Sequence, residues 1–228
     1  MEKIGLLGGT GWSSTIGYYK LLNELVAERL GGYHSAKILL KSIDYHDTMV
    51  NYGIDHDAVS QVLEKELLEL IELKPDCIII CCTSLHKYYD MIKSKLASDI
   101  PVMHAIQLVA DHLNANGQKK VLLLATKFTM EDGFFAKILE DNGIQVEIPK
   151  ANERNKMQEI HAELMHNVVT QESRDYFSNL IANHKDLDAV ILGCTEYPLV
   201  VDHDNSILPI VDPVYLQAVT AVNYALDL

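Results

Sequence analysis

Residues 77–89 read CIIICCTSLHKYY: an unbroken apolar run ends in two cysteines and turns polar within two residues. Residues 189–200, AVILGCTEYPLV, repeat the arrangement with a single cysteine. A short, wholly apolar run closed by turn residues reads as a strand buried on both faces, the habit of parallel sheets covered by helices. Each stretch therefore reads as strand, Cys-Thr, helix, and its double appearance organises the reading of the whole chain.

Working outward, short β-rich runs alternate with helical patterns from end to end. KIGLLGG (3–9), KILLKSID (37–44), DCIIICCT (76–83) and IPVMHAI (100–106) read as four strands of a first half. Ser13 or Ser14 offers a cap for a helix running to about Leu30, which Gly31-Gly32 stops. Val59, Val62, Leu63, Leu67 and Leu70 stand at helical spacing and predict an amphipathic helix over 56–73. The pattern then restarts. Residues 119–143 match 2–24 in the order strand, turn, helix with paired aromatics, and 187–222 match 75–113. The expected fold is α/β: two similar Rossmann-like halves with parallel sheets, related by a pseudo-twofold axis. The halves are expected at 1–115 and 116–228, with the chain ends crossing over and the active site in the cleft between them.

The totals narrow the function. The chain has 228 residues, 48% apolar and 22% charged, the composition of a globular protein. No apolar stretch nears the roughly 20 residues of a membrane span, and MEKIGLLGG lacks the pattern of a secretory signal. A cytoplasmic protein with reduced thiols is expected. A net charge of −13 argues against nucleic-acid partners. The four cysteines, Cys77, Cys81, Cys82 and Cys194, form no CxxC pairs, so no metal is expected from their spacing.

In open parallel sheets, function sits beyond the carboxyl ends of the strands. Cys82 and Cys194 both fall there, whereas Cys77 and Cys81 share the opposite strand face and read as small buried apolar groups. Two thiols beside one carbon centre suit racemisation, one removing a proton while the other delivers one. A thiol with a pKa of about 8.5 is only a few per cent ionised at neutral pH, and N–H groups of a following helix favour the thiolate. Thr83, Ser84 and Thr195 add hydroxyl donors there, a cradle for a carboxylate, though Ser and Thr are also ordinary helix caps. Glu196 could polarise the site, bind an ammonium group or cap a helix. GGTGWSST (8–15) is an incomplete dinucleotide signature. Its glycines fit close approach of backbone to a small ligand, with Thr10 as a polar contact. Asn51 and Tyr52 start a loop that could cover the cleft. His86, one turn after Cys82, reads as a helix-surface residue or as a base for Cys82. Lys127, Arg154 and Lys156 read as solvated charges.

The stretches IGLLGGTGWSSTIGYY, ERLGGYHSAKILLKSIDYHD, CCTSLHK, LLLATKFTME, IPKANER and ILGCTEYPLV, spanning nearly the whole chain, resemble the aspartate/glutamate racemases that work without pyridoxal phosphate. The closest likeness is to the L-aspartate/glutamate-specific branch. The resemblance implies Cys82 and Cys194 as the two proton carriers, and Thr10, Asn51, Thr83, Ser84, Thr129, Thr195 and Glu196 as substrate-binding residues. It further implies no cofactor, a small acidic amino-acid substrate and a homodimer. That branch carries Thr where this chain has Cys82, so activity on both enantiomers is expected. Glutamate racemases carry His after the second Cys-Thr, so Glu196 leans toward aspartate. Two other readings stay open: a related maleate- or hydantoin-type isomerase or decarboxylase using one cysteine, and a non-catalytic amino-acid-binding protein.

Overall fold

The apolar runs at 4–8, 77–80, 120–124 and 189–192 become strands of two parallel sheets in the computed structural model, which describes residues 1–228. The chain divides into two compact units, Met1–Ala105 with Val214–Leu228, and Ile106–Pro213.

The first unit contains β1 (Ile4–Gly8), α1 (Trp12–Leu30), β2 (Ile38–Ser42), α2 (His46–Met49), α3 (His56–Glu72), β3 (Cys77–Ile80) and α4 (Leu85–Ile92). Helix α5 (Ala105–Ala115) leads into the second unit. That unit carries β4 (Lys120–Leu124), α6 (Lys127–Asp132), α7 (Phe134–Asp141), β5 (Gln145–Glu147), α8 (Ala151–Leu164), α9 (Gln171–Ala182), β6 (Ala189–Leu192) and β7 (Ile210–Val211). Helix α10 (Pro213–Leu226) returns to the first unit, where the Glu2 amide donates to the Ala225 carbonyl at 2.8 Å.

Both sheets are wound alike. The first has the order β2-β1-β3, the second β5-β4-β6-β7, and all pairs are parallel. In each, the first strand lies between the second and third, so the strand order reverses beside the carboxyl ends of the first and third strands. That is where an open α/β sheet leaves a crevice. Strands β1, β3 and β6 are buried at every position, which is why their sequences run apolar without alternation.

Helix α3 follows its periodicity: Val59, Leu63, Leu67 and Leu70 are buried, and the Asp55 carboxylate caps it by accepting from the Ala58 amide at 3.0 Å. They join Leu7, Ile78, Ile80, Leu85, Tyr88 and Ile92 in the core of the first unit.

The structure corrects four local expectations. Residues 100–106 form no strand. Val102 makes one isolated bridge to Ile78, held by Ile78 N–H to Pro101 O and Met103 N–H to Ile78 O, because Pro101 has no N–H to extend a ladder. Neither Ser13 nor Ser14 caps α1: Gly11 occupies the cap, and the Ser14 hydroxyl donates back to the Gly11 carbonyl at 2.8 Å. The counterpart of α1 is broken into α6 and α7 at Gly133, whose φ of +84° is open to glycine. No α-helix follows Cys194; the chain makes only a 3₁₀ turn, Tyr197–Leu199.

Candidate active site

In the first unit, β1 ends in Gly8-Gly9 and the chain turns sharply into Thr10. Gly9 has φ +90°, and a Cβ there would run into the Ile43 backbone, so no other residue fits. The turn leaves Thr10 buried, its hydroxyl donating to the Cys81 carbonyl at 3.3 Å, which ties the end of β1 to the segment after β3. Cys81 is fully buried, and burial first, then the neighbouring Cys82, pushes its thiol well up. Cys77 is likewise pushed up to about 12, by burial and then by Asp76. Both are inert apolar groups, as their strand parity implied.

Cys82, one residue on, is half-buried and has left the strand. Ser84 stands at the cap position of α4 but makes no capping bond; its Oγ lies 3.4 Å from the Cys82 sulfur instead. Thr83 is buried beside them. Tyr45, between β2 and α2, places its phenol hydroxyl in hydrogen-bonding contact with Cys82. Burial above all, then the charge of Cys82, pushes that phenol far up, so it remains a proton donor. Tyr52 and Tyr88 continue this aromatic wall, with ring centres 5.9 Å apart, and the Tyr88 hydroxyl lies 3.2 Å from His56 Nδ1. Sequence reading missed Tyr45. Its one signal is position, at the carboxyl end of the strand next to β1.

Asn51 lies in the turn after α2, where its carbonyl accepts from the amides of Ile54 and Asp55 and sets the start of α3. His86 is not a surface residue: it is fully buried, packs its ring at a tilt against His104 with ring centres 4.5 Å apart, and meets the Gln217 amide at 3.3 Å. Burial, with His104 adding to it, drives the His86 pKa well below the usual imidazole range despite the opposing pull of Asp90 and the Ile80 backbone.

In the second unit, the Gly193 amide donates to the Leu124 carbonyl at 2.7 Å and aligns the ends of β6 and β4. Cys194 follows, buried, and its thiol donates to Glu196 Oε2 at 3.1 Å. The Thr195 hydroxyl donates to the same oxygen at 2.8 Å. His161, from α8, brings Nε2 within 3.7 Å of it. Burial by itself would raise the Glu196 pKa, but hydrogen bonds from His161, Cys194 and Thr195 outweigh it and hold the carboxyl below its ordinary value. Glu196 is therefore a buried carboxylate at neutral pH. Tyr197 props the cluster from beneath, its hydroxyl on the Ala125 carbonyl at 3.1 Å and its ring edge-on to His161 at 6.3 Å.

Thr129 is buried in α6, its hydroxyl 3.0 Å from that of Thr126, which caps the helix. The three cations read as solvated charges are each half-buried and have local partners: Lys127 with Asn155 at 2.9 Å, Arg154 with Glu131 at 3.1 Å, and Lys156 with Glu159 at 3.4 Å. His161 was not singled out from sequence; 33 positions separate it from Cys194 by number. No helix is long and apolar enough to cross a membrane.

Two thiols thus stand at corresponding places in two like sheets, one among neutral hydroxyls and one against a carboxylate and an imidazole. Known proteins share this frame. Residues 7–221 match the family model of Asp/Glu/hydantoin racemases. The chain is 25% identical over 221 residues to a broad specificity amino-acid racemase of Bacillus subtilis, covering 92% of each. Among solved structures it is similar to an Asp/Glu racemase candidate from Yersinia pestis, with 32% identity, TM-score 0.89, and 99% and 100% of the two chains covered. An aspartate racemase homologue from Pyrococcus horikoshii OT3 gives 27% identity, TM-score 0.87 and 99% of each chain.

Proposed function

The chain belongs to the Asp/Glu/hydantoin racemase family, and on that footing we propose that it interconverts L- and D-aspartate, in preference to glutamate, with its two cysteines as proton carriers and no cofactor. The observation that carries this reading is the pair of Cys-Thr turns, Cys82-Thr83 and Cys194-Thr195, each just past the third strand of a 2-1-3 sheet. The likeness to an aspartate racemase homologue over 99% of each chain supports the substrate class.

Cys82, flanked by the hydroxyls of Ser84 and Tyr45, serves as the thiolate that takes the α-proton of one enantiomer. Cys194, which bears its proton toward Glu196, returns a proton to the α-carbon. After one turnover Cys82 is the thiol and Cys194 the thiolate, and the opposite enantiomer runs the same steps backward. Hydroxyls of Thr83, and of Thr10 and Thr195 once they turn from the Cys81 carbonyl and Glu196, bind the substrate's carboxylates, and donors aimed at the α-carboxylate stabilise the carbanion as its charge develops. Asn51, Ser84, Thr129 and Glu196 belong to the same proposed substrate-binding set.

The test is proton NMR of L-aspartate, and separately D-aspartate, with pure protein in D₂O without pyridoxal phosphate. Loss of the α-proton signal with growth of the opposite enantiomer is expected, and Cys82→Ser and Cys194→Ser should each abolish it. Racemisation unimpaired in both variants would overturn the mechanism. A covalent substrate adduct seen by mass spectrometry would point instead to one-cysteine isomerisation.

The assembly is proposed to be a homodimer through α1. Trp12, Ile16 and Tyr19, at i, i+4 and i+7, form an apolar stripe left 66%, 57% and 53% exposed, a face suited to a second copy. Sedimentation should give a dimer, and Ile16→Asp should give a monomer.

A further inference from the structure

The second thiol sits inside a donor set its sequence spacing concealed. Cys194 Sγ, Glu196 Oε2 and His161 Nε2 all lie within 4.8 Å of one another, with Sγ to Oε2 at 3.1 Å and Nε2 to Oε2 at 3.7 Å. A tetrahedral zinc ion, with bonds of roughly 2.0–2.3 Å, needs neighbouring donor atoms about 3.3–3.7 Å apart. Two of the three separations already lie at or near that range, and closing the third, at most 4.8 Å, completes it. Two donors come from one tight turn, and the third from the long helix α8, whose His161 ring is held edge-on to Tyr197. The set mixes thiolate, imidazole and carboxylate, a combination that selects a borderline-soft divalent ion over magnesium or calcium.

We propose that Cys194, Glu196 and His161 form a reversible zinc site and that occupying it switches the enzyme off. On binding, the Cys194 S–H proton passes to solvent, and the sulfur, the imidazole nitrogen and one carboxylate oxygen coordinate the ion. Water fills the fourth position. A coordinated sulfur can neither hold nor deliver a proton, so exchange at the α-carbon stops. The inhibitory half of this proposal rests on the reading of Cys194 as a proton carrier; the metal site does not.

The experiment titrates metal-free protein with Co²⁺, a spectroscopic stand-in for zinc, and follows the thiolate-to-cobalt charge-transfer band. One equivalent should saturate the band, and excess Zn²⁺ should bleach it. Cys194→Ser should abolish it and Cys82→Ser should leave it intact. His161→Gln, a milder change, should weaken cobalt binding by at least about tenfold. A missing band, or one that survives Cys194→Ser, overturns the site. In parallel, α-proton exchange of aspartate in D₂O should stop with one equivalent of Zn²⁺ and return with a chelator. Exchange that continues on zinc-loaded protein overturns the inhibition. If metal-free protein exchanges no substrate, the racemase reading fails, while the cobalt band still decides the metal site.

Discussion

At the scale of single residues, the two cysteines share a place in the fold but not an environment. Around Cys82 the polar partners are hydroxyls, those of Ser84 and Tyr45; around Cys194 they are an ionised carboxylate and an imidazole. In the proposed reaction the first set holds the sulfur that takes the proton and the second the sulfur that gives one. Tyr45→Phe removes one donor while leaving the ring in the wall with Tyr52 and Tyr88. Its turnover number should fall about tenfold or more, the worth of one hydrogen bond to a charged group, with KM little changed and circular dichroism unaltered. Glu196→Gln keeps the shape but removes the charge that orients Cys194 and His161. Steady-state kinetics should show a loss on the order of 10²-fold, in the range for a displaced acid–base partner.

At the scale of elements, helix α3 separates two sources of stability. Asp55→Ala takes away a solvent-exposed cap and should cost about 1 kcal/mol in urea denaturation. Leu67→Ala opens a hole under the same helix, where the side chain is fully buried, and should cost roughly 2–5 kcal/mol. If the two losses came out equal, the account of α3 as held mainly by its packed face would be wrong. Elements carried by periodicity were legible in the chain: β1, β2 and α3 lie within a residue or two of the expected spans, and β3 ends three residues before the expected 83. Elements decided by one residue were not. The hydropathy of 100–106 suits a strand, but Pro101 leaves only an isolated bridge. Gly133 divides a helix whose apolar pattern runs on across it. A single backbone restriction outweighs an averaged pattern because it acts on φ and on one hydrogen bond, which a window of side chains does not register.

At the scale of the whole molecule, the chain returns from the second unit to finish the first. Gln217, on α10, is almost wholly buried; it accepts from the Tyr18 hydroxyl at 2.6 Å and donates to the Met103 carbonyl at 2.6 Å, with His86 beside it. One buried amide thereby joins α1, α4 and the C-terminal helix. The network carries a pH dependence. His86 is held neutral in the folded state, its pKa depressed first by burial and then by His104. The unfolded chain takes up that proton below about pH 6.5. Stability should therefore be undiminished above that value and fall as pH drops below it, at roughly 1.4 kcal/mol per pH unit for one proton. Urea midpoints at pH 7.5 and 5.5 should show this slope in the native chain and a slope smaller by about one proton in His86→Gln. Equal slopes would assign the acid sensitivity elsewhere.

What the amino-acid order settled unaided was whatever repeats or runs locally: buried parallel strands, their duplication, and a Cys-Thr turn at the end of each third strand. Those features arise from contacts between near neighbours and from solvent exclusion, and both leave a periodic mark in the chain. What only the tertiary structure decided was the company each thiol keeps. Tyr45 reaches Cys82 from the next strand but one, and His161 reaches Glu196 from a helix more than thirty residues away. Such meetings depend on how strands and helices stack, and no spacing rule in the sequence records them. The difference between a thiol among hydroxyls and a thiol against a carboxylate is therefore a property of the fold.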